Sequence, residues 1–111
     1  VTVTTLDALI AQYGIPAFCK IDVEGGELDV LRGLSQALPA LSFEYIPAMI
    51  ETALGCIDML ERLHRYEYNW RVSEFPRLRS PVWLGPDEMA ANLKEMPPDS
   101  NSGDVYARLK S

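Results

Sequence analysis

The chain has 111 residues, enough for one hydrophobic core, and 48% of them are hydrophobic, so the sequence predicts a folded domain. Its formal net charge of −6 argues against a nucleic-acid partner, because surfaces that bind phosphates concentrate lysine and arginine. Prolines and acidic residues interrupt the most apolar stretch, residues 37–63, so we predict no membrane span and no membrane partner. Since no secretory signal opens the chain, we expect a cytoplasmic protein.

The first predicted element is a short helix at residues 6–13. A helix-start pattern, TTLD at residues 4–7, precedes it, and Gly14 provides a stop. The next apolar run, residues 17–23, has apolar side chains on both faces. This pattern predicts an interior strand covered on both sides.

Residues 17–46 have the pattern of a strand, a crossover helix and a second strand. The helix shows a stripe of Leu28, Leu31 and Leu34, and the second strand is the apolar run at residues 40–46. A crossover of this length joins parallel strands, so the two carboxyl ends should meet at one edge of the sheet. We therefore predict a three-layer α/β arrangement with these strands as parallel neighbours.

The rest of the chain continues the α/β pattern less regularly. We predict a helix at residues 51–66, a third strand at residues 68–75 and a last strand, antiparallel at the sheet edge, at residues 104–109. Five prolines mark residues 76–103 as a loop-rich insertion, with one helical turn at residues 87–93.

The candidate site lies where the two parallel strands end. Asp22 ends the first strand, Glu24 begins the turn, and Glu44 and Tyr45 end the second strand. These side chains would form a carboxylate rim at one edge of the sheet. Such a rim can orient a hydroxyl-bearing substrate, accept its proton or hold a metal. We take Asp22 and Glu24 as candidate catalytic residues and Glu44 and Tyr45 as candidate substrate-binding residues. The structural alternative is that Asp22 bonds turn amides while Glu24 and Glu27 favour the helix start.

Other chemistry-bearing side chains are better explained by structure. Cys19 and Cys56 are predicted to be buried, reduced thiols, and Lys20 to pair with a carboxylate or reach past the sheet edge. His64 suits a cap or surface role, and the two tryptophans suit packing. The chain has no glycine-rich phosphate loop and no set of metal ligands, so cofactor-binding residues stay unassigned and no metal is predicted.

The sequence KIDVEG at residues 20–25, with LRG at residues 31–33, resembles the signature of the FkbM-family methyltransferases, which use S-adenosylmethionine. The TTLD segment at residues 4–7 and the SFE segment at residues 42–44 extend the resemblance. It covers roughly residues 3–75, and the flanking segments make it far more specific than a lone glycine motif.

The resemblance implies a Rossmann-like class I methyltransferase fold, with residues 1–111 as a single partial domain, the C-terminal half of the sheet with its flanking helices. Since the glycine-rich loop and the acidic residue of the first half have no counterpart here, we expect a fragment that is inactive alone. The complete protein would transfer a methyl group from S-adenosylmethionine to a small-molecule acceptor, a hydroxyl of a sugar or natural product. Asp22 or Glu24 would then take the acceptor proton.

Two alternatives remain open. The chain could be a non-catalytic α/β binding or association module, self-associating through an exposed sheet edge. The carboxylate rim could also take Mg²⁺ or Ca²⁺, since hard cations prefer oxygen ligands.

Overall fold

A computed structural model describes residues 6–21, 26–73 and 77–110, which form a mixed α/β fold with one four-stranded sheet. The elements in chain order are α1 (Leu6–Tyr13), β1 (Cys19–Ile21), α2 (Glu27–Arg32), β2 (Ala40–Tyr45), a short 3-10 turn (Pro47–Met49), α3 (Ile50–Leu63), β3 (Tyr66–Val72), α4 (Pro86–Lys94) and β4 (Gly103–Leu109). No helix within these ranges is both long and apolar enough to cross a membrane.

The strands lie in the order β1-β2-β4-β3. β1 pairs parallel to β2, which confirms the predicted parallel crossover, while β4 runs antiparallel to both β2 and β3. Strands β1, β2 and β3 therefore point the same way. Their last residues, Ile21, Tyr45 and Val72, and the first residue of β4, Gly103, lie at one edge of the sheet, called here the carboxyl edge.

Two predicted strand positions are wrong. β4 was expected at the edge but lies between β2 and β3, since a strand that is apolar on one face can still pair on both sides. β1 was expected in the interior, but within the described sheet it is the edge strand. It also begins at Cys19, later than the predicted start at residue 17, and Phe18, just before it, is 50% exposed.

The two faces of the sheet differ in character. Because side chains alternate along each strand and the pairing register aligns them, one face carries the buried strand residues Ile21, Leu41, Phe43, Tyr45, Tyr66, Tyr68, Val105 and Ala107. These residues share one core with inward residues of all four helices, so we call this the covered face. The opposite, polar face carries Lys20, Glu44, Glu67, Arg71, Asp104, Tyr106 and Arg108. The described residues therefore form two layers, and the predicted third layer is wrong for this part of the chain.

The predicted helices are largely confirmed. α1 has the predicted bounds, and α2 ends at Gly33, whose backbone N–H donates to the carbonyls of the last turn. α3 ends at Leu63, earlier than predicted, because Tyr66 belongs to β3. Glu61 of α3 fixes this junction by accepting hydrogen bonds from the Tyr66 backbone N–H (3.1 Å) and the Tyr68 hydroxyl (2.7 Å).

The proline-rich segment between β3 and β4 is more ordered than the sequence indicated. It contains the nine-residue helix α4, with Pro86 in its first turn and Met89 and Leu93 fully buried. Before this helix, Leu84 exchanges two backbone hydrogen bonds of 2.7 Å with Tyr68. The segment thus adds a short bridge beside β3 and then covers the same face of the sheet as α3.

Most of the residues that were predicted from the sequence to have structural roles have positions consistent with those roles. Cys19 and Cys56 are free thiols, with Cys56 fully buried and Cys19 partly so. His64 is exposed at the end of α3, where its backbone N–H donates to the Leu60 carbonyl. Trp70 packs half-buried against the core, and the Arg108 guanidinium lies 4.0 Å from the centre of the Trp83 ring.

Gly103 generates a prediction about stability. A Cβ atom at this position would overlap the Arg71 carbonyl oxygen of β3 and approach the Tyr45 hydroxyl to 2.8 Å. Gly103→Ala should therefore lower the free energy of unfolding by about 1–3 kcal/mol, the usual cost of overpacking, measured by urea denaturation.

Gly85→Ala is the matched control. At Gly85 a Cβ atom would find its nearest neighbour at 4.0 Å, so this variant should stay within about 1 kcal/mol of the wild type. Equal stability of the two variants would contradict the close packing of β2, β4 and β3 at the carboxyl edge.

Candidate functional site

The structure separates the two candidate residues at the end of β2. Glu44 is half-buried on the polar face, whereas Tyr45 is 1% exposed on the covered face. Alternation along the strand makes this unavoidable, so the two side chains line different cavities. The candidate catalytic residues Asp22 and Glu24 lie outside the described residues, and their roles stay predictions.

An open groove of about 550 Å³ lies between the end of β3 and the end of α4. We call it the α4–β3 groove. Its apolar wall is formed by Tyr45, Trp70, Val72, Met96 and Pro97. Its polar rim is formed by Arg79, Asn92, Glu95, Asp99, Ser100 and Asn101. An apolar wall with a few polar groups, at this volume, is typical of a small-molecule site.

Tyr45 supplies a hydroxyl at the inner end of this groove. Its Oη atom donates a long hydrogen bond, 3.4 Å, to the Arg71 carbonyl oxygen. Burial raises the pKa of the Tyr45 phenol, and the nearby Asp104 carboxylate acts in the same direction while Arg79 opposes it. The phenol is therefore protonated at neutral pH and can act as a hydrogen-bond donor rather than as a base.

Glu27, the first residue of α2, is a site candidate that the sequence analysis missed. It is only 2% exposed, and its Oε2 atom is buried with no hydrogen-bond partner among the described residues. From the sequence, Glu27 was expected only to favour the start of the helix. Its spacing from Leu31 and Leu34, both buried, places it on the apolar stripe of the helix, and that signal was available in the sequence.

A small cavity of about 10 Å³ lies at the carboxyl edge between β2, α2 and α3. Glu27, Glu44 and Thr52 provide its polar lining, together with the apolar residues Ile46, Met49 and Ala53. The structure thus brings one predicted site residue, Glu44, to the same cavity as the buried Glu27. We call this the Glu27–Glu44 cavity.

The negative charge of Glu27 also acts on a neighbouring thiol. Burial, with a smaller contribution from Glu27, raises the pKa of Cys56 to about 12. A thiol in that state is not a nucleophile at neutral pH, so Cys56 has a packing role.

On the polar face, a third cavity of about 240 Å³ is lined by Lys20, Glu44, Arg71 and Asp104, among others. Arg71 Nε and Asp104 Oδ2 form an ion pair at 3.4 Å. Lys20 is exposed and takes part in none of the three ion pairs within residues 6–21, 26–73 and 77–110, which fits the expectation that it reaches past the sheet edge. Within those ranges, no group of three or more His, Cys, Asp or Glu residues could hold a metal ion.

The comparison with known families agrees with this arrangement. The model of the FkbM methyltransferase domain matches residues 1–76, which include β1, β2, β3 and the helices between them. No curated protein matches the chain. Strand β4 and helix α4 follow the matched region; β4 belongs to the described sheet, and Asn92 of α4 lines the groove. Since the matched region is more than half of the sequence, the chain belongs to the FkbM methyltransferase family.

Proposed function

We propose that the protein is an S-adenosylmethionine-dependent methyltransferase that methylates a hydroxyl group of a sugar or natural product. The observation that carries this proposal, beyond family membership, is the α4–β3 groove at the carboxyl edge. In α/β sheets, ligands bind at the carboxyl ends of the strands. The parallel β1–α2–β2 unit also supports the proposal that the complete fold is Rossmann-like.

The cavities formed by the described residues have only some of the features needed to bind S-adenosylmethionine. The polar-face cavity is lined by the Glu44 and Asp104 carboxylates but equally by the Lys20 and Arg71 cations, and Arg71 pairs with Asp104, so it has no excess of negative charge for a sulfonium cation. At about 240 Å³, it also falls below the roughly 300 Å³ at which cofactor sites usually begin. Within residues 26–73 and 77–110, no glycine-rich loop is present to hold a nucleoside. We therefore assign no cofactor-binding residues in this chain and derive no step through the cofactor.

The α4–β3 groove is proposed to hold the acceptor. Its volume suits a small molecule, its apolar wall includes the Trp70 ring, and amide, carboxylate and hydroxyl groups at its rim can bond hydroxyl groups of the ligand. The rim comes from residues 79–101, beyond the region that matches the family. We infer that this segment sets the choice of acceptor within the family.

When bound, S-adenosylmethionine supplies the methyl group. The chain's own residues align the acceptor oxygen and remove its proton, and alignment is the larger contribution in an in-line displacement. Tyr45 stays protonated and donates its one hydroxyl hydrogen to the Arg71 carbonyl, so it is proposed to contact the acceptor as part of the groove wall and not as the base. The proton is proposed to pass to Asp22 or Glu24, which follow β1, so the acceptor has to extend from the groove beside β3 past the end of β2 towards β1.

The proposed bases can be tested in the complete protein that contains this chain. Asp22→Asn or Glu24→Gln should lower methyl transfer on the order of 10²-fold, because a proton acceptor is lost, without lowering the melting temperature. Formation of S-adenosylhomocysteine, measured with an acceptor found by screening hydroxyl-bearing compounds, gives the rate. Variants that melt early yet keep full specific activity would show that these carboxylates are structural, at a cost of about 1 kcal/mol.

The acceptor groove can be tested with two tryptophan variants. Trp70→Leu should raise KM for the acceptor by about tenfold or more, because a ring face of the groove is removed, while the affinity for S-adenosylmethionine stays unchanged. Trp83→Leu is the control, since Trp83 packs against Arg108 and not in the groove. Equal KM values for both variants would place the acceptor elsewhere.

A specific observation also favours an association role for this region. Within the described sheet β1 pairs only with β2, and four apolar side chains beside it, Leu9, Tyr13, Ile15 and Phe18, are between 39% and 76% exposed. An open strand edge beside an apolar patch is suited to pairing with another strand. As the alternative to pairing of β1 with the remaining strands of a complete Rossmann-like sheet, we propose that two copies of the chain associate through β1.

This association predicts a dimer of the 111-residue chain in light scattering coupled to size exclusion. Phe18→Glu should convert it to a monomer, because a charge in the contact would lose its solvation. Val82→Glu, at an apolar side chain that is 62% exposed away from β1, should leave the dimer intact. A wild-type chain that is monomeric at about 100 μM would contradict the proposal. At that concentration, a dimer with an association free energy of about −5.5 kcal/mol or stronger would be detected.

A further inference from the structure

The β3 side of the α4–β3 groove carries a cation, Arg79, whose backbone is held in place by hydrogen bonds. The Arg79 backbone N–H donates to the Trp70 carbonyl oxygen at 2.7 Å. The next residue, Ser80, accepts a hydrogen bond from Asn69 Nδ2 at 2.9 Å through its carbonyl oxygen and donates its backbone N–H to Asn69 Oδ1 at 3.1 Å. Asn69 is only 1% exposed. These three bonds, two of them to a buried side chain, fix the base of the Arg79 side chain beside Trp70.

The positive charge of Arg79 has no partner in the fold as described. Arg79 lines the groove but belongs to none of the ion pairs in the part of the chain that the structure describes. Burial raises the pKa of the Tyr45 phenol and Arg79 opposes that rise, which puts the guanidinium within electrostatic reach of the inner end of the groove. A chain with a formal net charge of −6 thus holds a cation at its proposed acceptor site.

The anionic groups of the groove come from the α4 side. Glu95 follows the last turn of α4, and Asp99 and Asn101 lie in the segment between α4 and β4. Carboxylate and amide oxygens accept hydrogen bonds from hydroxyl groups. The groove therefore has a cation on its β3 side and several hydrogen-bond acceptors on its α4 side.

We propose that the acceptor is a sugar acid whose carboxylate is bound by Arg79. The inference rests on the proposed methyl transfer and names the chemical class of the acceptor. The planar guanidinium presents a fork of N–H donors that matches a carboxylate in a bidentate pair. The Trp70 ring offers an apolar face to the sugar ring, while Glu95, Asp99 and Asn101 accept hydrogen bonds from its hydroxyl groups.

The balance of charges favours a carboxylate over a phosphate. A phosphate monoester carries a charge of about −1.5 to −2 at neutral pH. The groove opposes one arginine with two carboxylates, Glu95 and Asp99, so the second charge of a phosphate would meet only repulsion. A carboxylate carries a single charge, which Arg79 alone compensates.

The test measures ligand binding to the isotope-labelled 111-residue chain by NMR. The probe is D-glucuronate, and D-glucuronamide, in which a neutral amide replaces the carboxylate, is the control ligand. Glucuronate should shift the indole N–H resonance of Trp70. Glucuronamide should bind at least about tenfold more weakly, because hydrogen bonds between charged groups are stronger than those to a neutral group.

Two arginine variants locate the carboxylate. Arg79→Gln should bind glucuronate at least about tenfold more weakly than the wild type and should no longer distinguish it from glucuronamide. Arg79→Lys, which keeps the charge but loses the fork, should have an intermediate affinity. Arg77→Gln is the matched control, since Arg77 is also exposed but does not line the groove, and it should bind glucuronate like the wild type.

Three results would overturn the proposal. One is the absence of a Trp70 response to about 50 mM glucuronate, a concentration at which a Kd of roughly 10⁻² M would give most of the shift. Another is equal affinity of the wild type for glucuronate and glucuronamide, or undiminished glucuronate binding by a folded Arg79→Gln. The third is displacement of glucuronate by inorganic phosphate at a lower concentration, which would assign the groove to a phosphate ligand.

The same measurements separate this proposal from the methyl-transfer function. Selective glucuronate binding that depends on Arg79, in a complete protein that transfers no methyl group to any hydroxyl compound, would support the carboxylate site and refute the methyl transfer. Methyl transfer to a neutral acceptor, at the same rate in the wild type and in Arg79→Gln, would refute the carboxylate site alone.

Discussion

The pairing of β4 with two other strands holds the described structure together. β4 forms antiparallel ladders with β2 along residues 40–45 and with β3 along residues 66–72. Because β4 runs opposite to both, β2 and β3 point the same way, and the 3-10 turn and α3 connect them in sequence. The carboxyl ends of β1, β2 and β3 therefore share one edge. Gly103 makes this junction possible, since it lies opposite both Tyr45 and Val72 and leaves room for the Tyr45 ring.

The one-sided burial of the sheet decides what each carboxyl-edge residue can do. All four helices contribute to the core on the covered face, so Tyr45 is enclosed there and its phenol stays protonated. Glu44, one residue earlier, lies on the polar face near Lys20, Arg71 and Asp104. Neighbours in sequence thus belong to different cavities. The α4–β3 groove and the polar-face cavity therefore lie on opposite faces of the sheet.

Glu27 shows how a local rule can be overridden by tertiary packing. An acidic residue in the first turn of a helix normally favours the helix and faces water. Here the same position falls on the stripe that contains Leu31, so closing α2 against α3 buries the carboxylate along with the leucines. Burial of a charge in this way is costly, and residues that break a local rule are often those with a function.

The sequence by itself determined the elements whose signals are local. Leucine spacing and terminal glycines defined α1 and α2, and the short crossover between apolar runs required β1 and β2 to be parallel, because a connection of that kind closes in one way. The KIDVEG motif at residues 20–25 likewise indicated the family. The tertiary structure alone decided that β4 enters between β2 and β3, that β1 is the edge of the described sheet, and that α4 closes the groove against Trp70. These three features depend on contacts between residues that are far apart in the chain. An apolar pattern indicates that a side chain is buried, but it does not indicate which other residues it packs against.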